Sequence, residues 1–205
     1  MQRLFNEFVT LFVVLDPFST LPVFLALTRN LDAAQGRRLA LRGVLIAGAV
    51  LLFFVVAGQA LLQAMGIPLS SFQLAGAVVL FLMGLKMIFG ELHQPGSASG
   101  PEPDHDPAVF PLAIPSIAGP GTMLTVVLLT DHTHHSIVDQ IETVVEIAVV
   151  LLLTLAILFA ARIIVRLVGS SGVSVIARVM GLILASLAVH NAVLAVQTLQ
   201  LVIRS

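Results

Sequence analysis

The stretch LDPFSTLP, residues 15–22, places an aspartate, a serine, a threonine and two prolines inside an otherwise apolar run that opens the chain. A second stretch, IPSIAGPGT at residues 114–122, repeats this pattern, with its two prolines at the same separation as those of the first. Each proline removes a backbone donor and displaces a carbonyl one turn back. Both stretches therefore predict a helix that is broken within an apolar environment.

The composition predicts that lipid is the solvent of this chain. Of its 205 residues, 58% are hydrophobic and 10% are charged, whereas soluble domains carry about 25% charged residues. The net charge of −1 gives no field that would attract nucleic acid. The chain has no cysteine, so disulfides and thiolate metal sites are excluded. The predicted partner is the lipid bilayer, and no cofactor is expected.

Charged residues mark the ends of six predicted spans, each long enough for a hydrocarbon core of about 30 Å. The first apolar run lacks a convincing cleavage site, so we expect it to be a retained span. The predicted fold is all-α, a polytopic membrane protein with six transmembrane helices. The alternative is that a broken segment re-enters the membrane without crossing it. The predicted spans are 4–28, 39–64, 70–90, 108–130, 140–168 and 176–202.

A polar segment rich in Pro, Gly and Ser, residues 91–107, has the composition of a flexible linker. It separates a first three-helix repeat, 1–90, from a second, 108–205. Because each half has three spans, the second must enter the membrane upside down relative to the first. Each half also starts with a proline-broken span. The pattern predicts two inverted repeats with broken first helices, a recurring architecture of secondary transporters.

The positions of lysine and arginine predict the orientation of the chain. Positive residues in short loops favour the cytoplasmic side. Alternation of the spans leaves only Arg3 and Arg204 on the opposite side, so both termini are expected to be periplasmic. The residues grouped on the cytoplasmic side are Arg29, Arg37, Arg38, Arg42, Lys86, Arg162, Arg166 and Arg178.

The two breaks together predict a binding site. Half-helix N-termini within the membrane present free N–H groups and the positive end of the helix dipole, which suit a carboxylate. Glycines permit close approach of the backbone, hydroxyls can donate, and the remaining walls are apolar. The expected ligand is a small molecule with one charged end, such as a small neutral amino acid. The predicted substrate-binding residues are Asp16, Ser19, Thr20, Ser116, Gly119, Gly121 and Thr122.

Asp16 is an acid deep inside a predicted span, which makes it a candidate for carrying a coupling proton or binding Na⁺. The alternative is that it caps the helix that begins at Pro17, a pattern typical of Asp before Pro. The two roles are compatible. His190 and Asn191, midway along the last span, are candidates for a proton relay or, alternatively, for an inter-helix hydrogen bond.

Other polar residues suggest weaker hypotheses. Glu146 is expected near the outer interface, in contact with water. The run DHTHHS at 131–136 has metal-ligand chemistry, but an exposed loop is favoured, and no metal site is predicted. Gly76, Gly84 and Gly181 are interpreted as helix-packing positions. No nucleophile–base pair or metal-ligand set lies inside the spans, so an enzyme is not expected.

Four stretches carry a resemblance that extends essentially from end to end. They are DPFSTLPVFLALT (16–28), LAGAVVLFLMGLKMIFG (74–90), FPLAIPSIAGPGTM (110–123) and ARVMGLILASLAVHNAV (177–193). In these the chain resembles the MarC family of multi-pass membrane proteins, in its YhgN-like branch. The chain departs from that family at Asp16-Pro17, where many members have Asn-Pro, and at Ser19-Thr20, where glycine is common.

The resemblance implies six spans in a bacterial inner membrane. Its SnatA-like members are transporters of small neutral amino acids such as glycine and alanine. The function predicted is therefore a secondary transporter of that class, driven by a proton or sodium gradient. The alternative is a multi-pass membrane protein with a structural or regulatory role that transports nothing.

Overall fold

The structure, a computed structural model, describes residues 2–90, 106–130 and 137–204, and within them every regular element is helical. The expected all-α fold is confirmed. The predicted linker, apart from its last two residues, and the histidine-containing loop at 131–136 lie outside the described residues. The elements are α1 (Gln2–Leu15), α2 (Pro17–Leu27), α3 (Ala33–Ala64), α4 (Leu69–Phe89), α5 (Ala108–Ile117), α6 (Pro120–Leu129) and α7 (Ile137–Arg204).

Five helical stretches are long and apolar enough to cross a membrane, and a bent pair supplies a sixth if it counts as one span. This agrees with the six spans expected. The bent pair is α5 with α6, whose axes differ by 56°. It corresponds to the predicted span 108–130, so the break expected there is present. By its shape the pair is either a broken span or a re-entrant loop.

Helix α3 begins six residues before the predicted start of the second span. Asp32 caps it, because its carboxylate accepts a hydrogen bond from the Gln35 N–H at 2.7 Å. The Gln35 side chain in turn accepts from the Asp32 N–H at 3.1 Å, which completes a capping box. The apolar pattern begins only after Arg37 and Arg38, so hydropathy placed the start too late.

Helix α7 contains two candidate spans with almost no loop between them. The fifth span is Asp139–Gly169 and the last span is Ser171–Gln200. Gly169 alone turns the chain, with φ 74° and ψ 167°, a conformation that glycine adopts without steric cost. The gap predicted at 169–175 is therefore shorter in the structure.

The last span packs closely against α4. A Cβ on Gly84 would lie 2.7 Å from the Gly181 carbonyl oxygen, and a Cβ on Gly181 would lie 2.8 Å from that of Gly84. The two backbones therefore touch, which confirms the packing role expected of both glycines. Gly76 makes a similar contact, since a Cβ there would overlap the Leu124 side chain.

Large apolar side chains such as Val56 (70% exposed) cover the outer surface and face the lipid.

Two of the positive residues, Arg42 and Arg162, contact segments that lie next to the ends of other helices. Arg42 forms a 2.5 Å ion pair with Asp106, which precedes α5. Arg162 donates hydrogen bonds to the carbonyls of Thr28 (3.3 Å) and Leu31 (3.0 Å), in the turn after α2. These contacts involve two of the eight positive residues expected on one side, and the grouping of all eight stays a prediction. The side of the membrane they face, the inverted relation of the halves and the domain division at 91–107 stay predictions.

Candidate functional site

The first break is made by one residue, Asp16. It adopts a left-handed conformation (φ 44°, ψ 71°), which ends α1 and starts α2 at Pro17. Its carboxylate Oδ1 accepts a hydrogen bond from the Ser19 N–H at 3.3 Å. Its carbonyl accepts one from the Ser19 hydroxyl at 3.0 Å. The capping role considered for Asp16 is therefore confirmed.

The second break extends over more residues, and no side chain caps the helix that follows it. Phe110 and Ile114 have extended backbone angles inside α5, each before a proline. The next helix, α6, starts at Pro120 after Gly119, which makes no side-chain capping hydrogen bond. The N–H groups in the first turn of a helix have no partner within the helix. The N-terminus of α6 therefore presents free donors and a positive dipole end.

The two breaks meet. Thr20, just after the first break, donates a hydrogen bond to the Ser116 carbonyl at 3.2 Å. The hydroxyl of Thr122, just after the second, lies 3.4 Å from the Val14 carbonyl oxygen and 3.3 Å from that of Ile117, so it is shared between the two segments. Each broken segment thus satisfies a carbonyl of the other, as backbone groups freed in a membrane require.

A small cavity lies where the breaks meet. The first break contributes Asp16 and Ser19, and the second contributes Ser116, Gly119 and Thr122. Five of the seven predicted substrate-binding residues therefore surround one space. The centre of a water molecule can occupy about 20 Å³ of it, which is room for a single water.

Asp16 brings an unpaired acceptor to this cavity. The residue is 4% exposed, and its Oδ2 has no hydrogen-bond partner among the described residues. No lysine, arginine or histidine lies among the residues around the cavity. A buried polar atom without a partner is unfavourable, so this oxygen is available to a ligand that donates to it.

Thr20 and Gly121 were predicted to bind substrate, but neither lines the cavity. The Thr20 hydroxyl is fully buried in the contact with Ser116. Gly121 faces α4, because a Cβ on it would overlap the Leu80 side chain. Both residues hold the two broken segments in place.

His190 and Asn191 also lie outside the cavity. His190 is exposed and Asn191 is half-buried on the last span. Leu184, about two turns earlier, is the residue of that span that reaches the cavity. A relay role for the pair stays a prediction.

The apolar wall of the cavity was not predicted from the sequence. It consists of Met83 and Met87 on α4, Leu184 on the last span, and Val14 and Leu15 before the first break. A methionine in an apolar span carries no signal that separates a cavity wall from ordinary packing. The only hint was Gly84, whose close backbone contact brings α4 against the last span.

These features define a multi-pass integral membrane protein with two broken helices around a small cavity that has polar groups on one side and an apolar wall. The family described as MarC family integral membrane protein matches residues 1–200. The chain belongs to the MarC family.

Named relatives span nearly the whole chain. The UPF0056 inner membrane protein YhgN of Escherichia coli (strain K12) is 33% identical over 92% of this chain and 93% of its own length. A UPF0056 membrane protein of Archaeoglobus fulgidus is 30% identical over 91% of this chain and 88% of its own. A UPF0056 membrane protein of Buchnera aphidicola subsp. Baizongia pistaciae is 29% identical over 90% of this chain and 91% of its own length. No solved structure matches the chain.

Proposed function

We propose that this protein is a secondary transporter of small neutral amino acids, of the glycine and alanine class, driven by a proton or sodium gradient. It acts in the bacterial inner membrane, with both termini on the periplasmic side. The observation that carries the proposal is the meeting of the two breaks around one buried cavity. Irregular backbone at membrane depth is tolerated where it is buried in protein or lines a cavity, and discontinuous helices form the substrate sites of many transporters.

The two ends of the cavity suit the two ends of an amino acid. The free Oδ2 of Asp16 can accept from a substrate ammonium group or from a coupling proton. The uncapped N-terminus of α6 can bind a carboxylate. Ser19 and Ser116 add hydroxyl groups near the first and second break. Both charges of a zwitterion thus have complementary partners in one place.

The apolar wall favours a short side chain. Met83, Met87 and Leu184 close the cavity opposite the breaks, and none of them can pair with a charged or strongly polar side chain. The space holds about one water, so even glycine requires the helices around it to separate. In the proposed transport cycle we therefore assign this structure to a state without room for substrate.

The test is uptake of labelled glycine, alanine and serine into proteoliposomes containing the purified protein. Imposed proton and sodium gradients are applied separately. The proposal expects uphill accumulation of at least one of the three with one of the gradients. No accumulation above empty liposomes with any combination would contradict it.

Thr122→Val and Thr125→Val form a matched pair for this assay. Both threonines are buried on α6, but Thr125 donates only to the Gly121 carbonyl of its own helix, at 2.9 Å. Thr122 lines the cavity and bonds across to the first break. Thr122→Val is expected to lower uptake roughly fivefold, the equivalent of one hydrogen bond. Thr125→Val is expected to leave uptake near the wild-type rate.

The second candidate function is a membrane protein with a structural or regulatory role that transports nothing. The small size of the cavity is the observation that favours it. In that case Asp16→Asn and Thr122→Val leave any cellular phenotype of the gene unchanged. A phenotype altered by both variants, with normal protein levels, excludes this alternative.

A further inference from the structure

A second group of buried polar side chains lies far from the cavity, where the beginning of α1 meets the beginning of the fifth span. Glu7 on α1 is 8% exposed and Glu146 on the fifth span is 9% exposed. The sequence placed Glu146 at the interface in contact with water, and this expectation is wrong. Packing between the two spans covers its side chain.

Glu7 has partners for both oxygens. Its Oε1 accepts a hydrogen bond from Arg3 at 2.7 Å. Its Oε2 lies 3.5 Å from the Thr143 hydroxyl, which is closer to the Asp139 carbonyl at 3.1 Å, so this oxygen is weakly engaged and has capacity for another donor. Arg3 also donates to Asp139 at 2.6 Å. The single guanidinium is therefore shared between two carboxylates.

Glu146 has no such support. Its Oε2 is buried and has no hydrogen-bond partner among the described residues. Two negative charges act on it, those of Glu7 and Glu142. The one positive charge that acts on it is that of Arg3, which already forms ion pairs with Glu7 and Asp139. An ionised carboxylate in this position would be desolvated and repelled by its neighbours.

We propose that Glu146 and Glu7 form a proton-binding site that joins the first span to the fifth. A proton on Glu146 removes its charge and turns an oxygen without a partner into a donor. Glu7 is the neighbouring acid that can accept from it, because its weakly engaged Oε2 lies 3.5 Å from the hydroxyl of Thr143, three residues before Glu146 on the same face of the helix. The bound proton lets two buried acids lie together, and its loss separates the spans at this end of the bundle by charge repulsion.

A metal ion is the competing occupant. Among the residues that the structure describes, no group of three or more acidic, histidine or cysteine side chains is arranged to hold one. Arg3 also occupies the position beside Glu7 that a cation would take. A proton needs only two neighbouring acids, and Glu7 and Glu146 are both buried. The site is separate from the cavity at the breaks and does not depend on the transport proposal.

The test is infrared difference spectroscopy of the full chain in lipid nanodiscs as the pH is raised. Wild type is expected to show a carboxylic-acid C=O band that disappears as Glu146 ionises. Glu146→Gln is expected to lose that band. The matched control is Glu142→Gln, one turn earlier on the same helix and half-buried, which is expected to keep it. Identical spectra for wild type and Glu146→Gln would overturn the proposal.

Two further measurements test whether Glu7 belongs to the site and whether the bound ligand is a proton. Glu7→Gln removes a neighbouring negative charge, so it is expected to move the midpoint of the band to lower pH. A midpoint unchanged in Glu7→Gln would show that Glu7 takes no part in the site. Adding Na⁺ at constant pH is expected to leave the band intact, and its disappearance there would show that the occupant is a metal cation.

Discussion

The two breaks differ in whether a side chain caps the helix that follows. The first turns the chain at Asp16, whose carboxylate also caps α2. The second spreads the turn over α5 and reaches α6 through Gly119, with no side-chain cap. One helix N-terminus is therefore already occupied by an anionic side chain, and the other is open. Of the two helix N-termini, only that of α6 therefore lacks a side-chain cap, and the proposed function places the substrate carboxylate there.

The largest effect is expected from Asp16→Asn, which changes the first break chemically but not structurally. Asparagine caps helices about as well as aspartate, so α2 should keep its start. The charge at Oδ2 is lost, and hydrogen bonds to charged groups contribute about 1.5–3 kcal/mol. Uptake into proteoliposomes is expected to fall about tenfold or more. Circular dichroism and gel filtration should remain those of the wild type.

Full activity in Asp16→Asn would mean that Asp16 acts at the first break only as a cap. The difference between the two breaks would then be one of shape alone, without a role for charge.

The next effect concerns the second break and is expected from Gly119→Ala. A Cβ there would lie 2.8 Å from the Pro115 carbonyl oxygen, a backbone atom that cannot turn aside. The free energy of unfolding is expected to fall by about 1–3 kcal/mol, as for other overpacked sites. Unfolding in mixed micelles can be followed by circular dichroism, since the chain has no Trp or Tyr for fluorescence.

The control for Gly119→Ala is Gly48→Ala. A Cβ at Gly48 would lie 3.2 Å from Leu151 Cδ1, the end of a flexible side chain. Its effect is expected to stay within about 1 kcal/mol. If the two variants have equal effects, the tight turn at Gly119 does not hold the second break.

The smallest effect is expected from Thr20→Val, which removes a hydrogen bond between the two breaks. The lost bond, to the Ser116 carbonyl, is of the kind that contributes about 0.6 kcal/mol between membrane helices. Thr28→Val is the control, because Thr28 is also buried but donates to the Phe24 carbonyl of its own segment. Thr20→Val should also slow uptake, whereas Thr28→Val should not. Equal stability and uptake in the two variants would show that the breaks hold together without this bond.

Much of this arrangement could be predicted from sequence, for a physical reason. A proline removes a backbone donor wherever it lies in a helix, and an acid in an apolar run needs protein or water around it. The stretches at 15–22 and 114–122 therefore indicated both breaks and their mutual contact. A sequence pattern is sufficient to predict a structural feature that depends only on the residues within that pattern.

Other features depend on which face of an apolar helix turns inward, and a local pattern does not determine this. Gly121 contacts Leu80 and not the cavity, while Met83 and Met87 line it. Glu146 was expected at the interface in contact with water, but only 9% of it is exposed. Hydropathy describes the polarity of each side chain but not the direction in which it points, and only tertiary packing determines that direction.

The contact between Gly84 and Gly181 has a mechanical consequence. With no side chain between the two backbones, α4 and the last span cross in direct backbone contact at this point. Met87 lies three residues beyond Gly84, and Leu184 three residues beyond Gly181, and both form the cavity wall. A change in the angle at which these two helices cross would therefore move both side chains at once, and with them the cavity wall opposite the two broken helices.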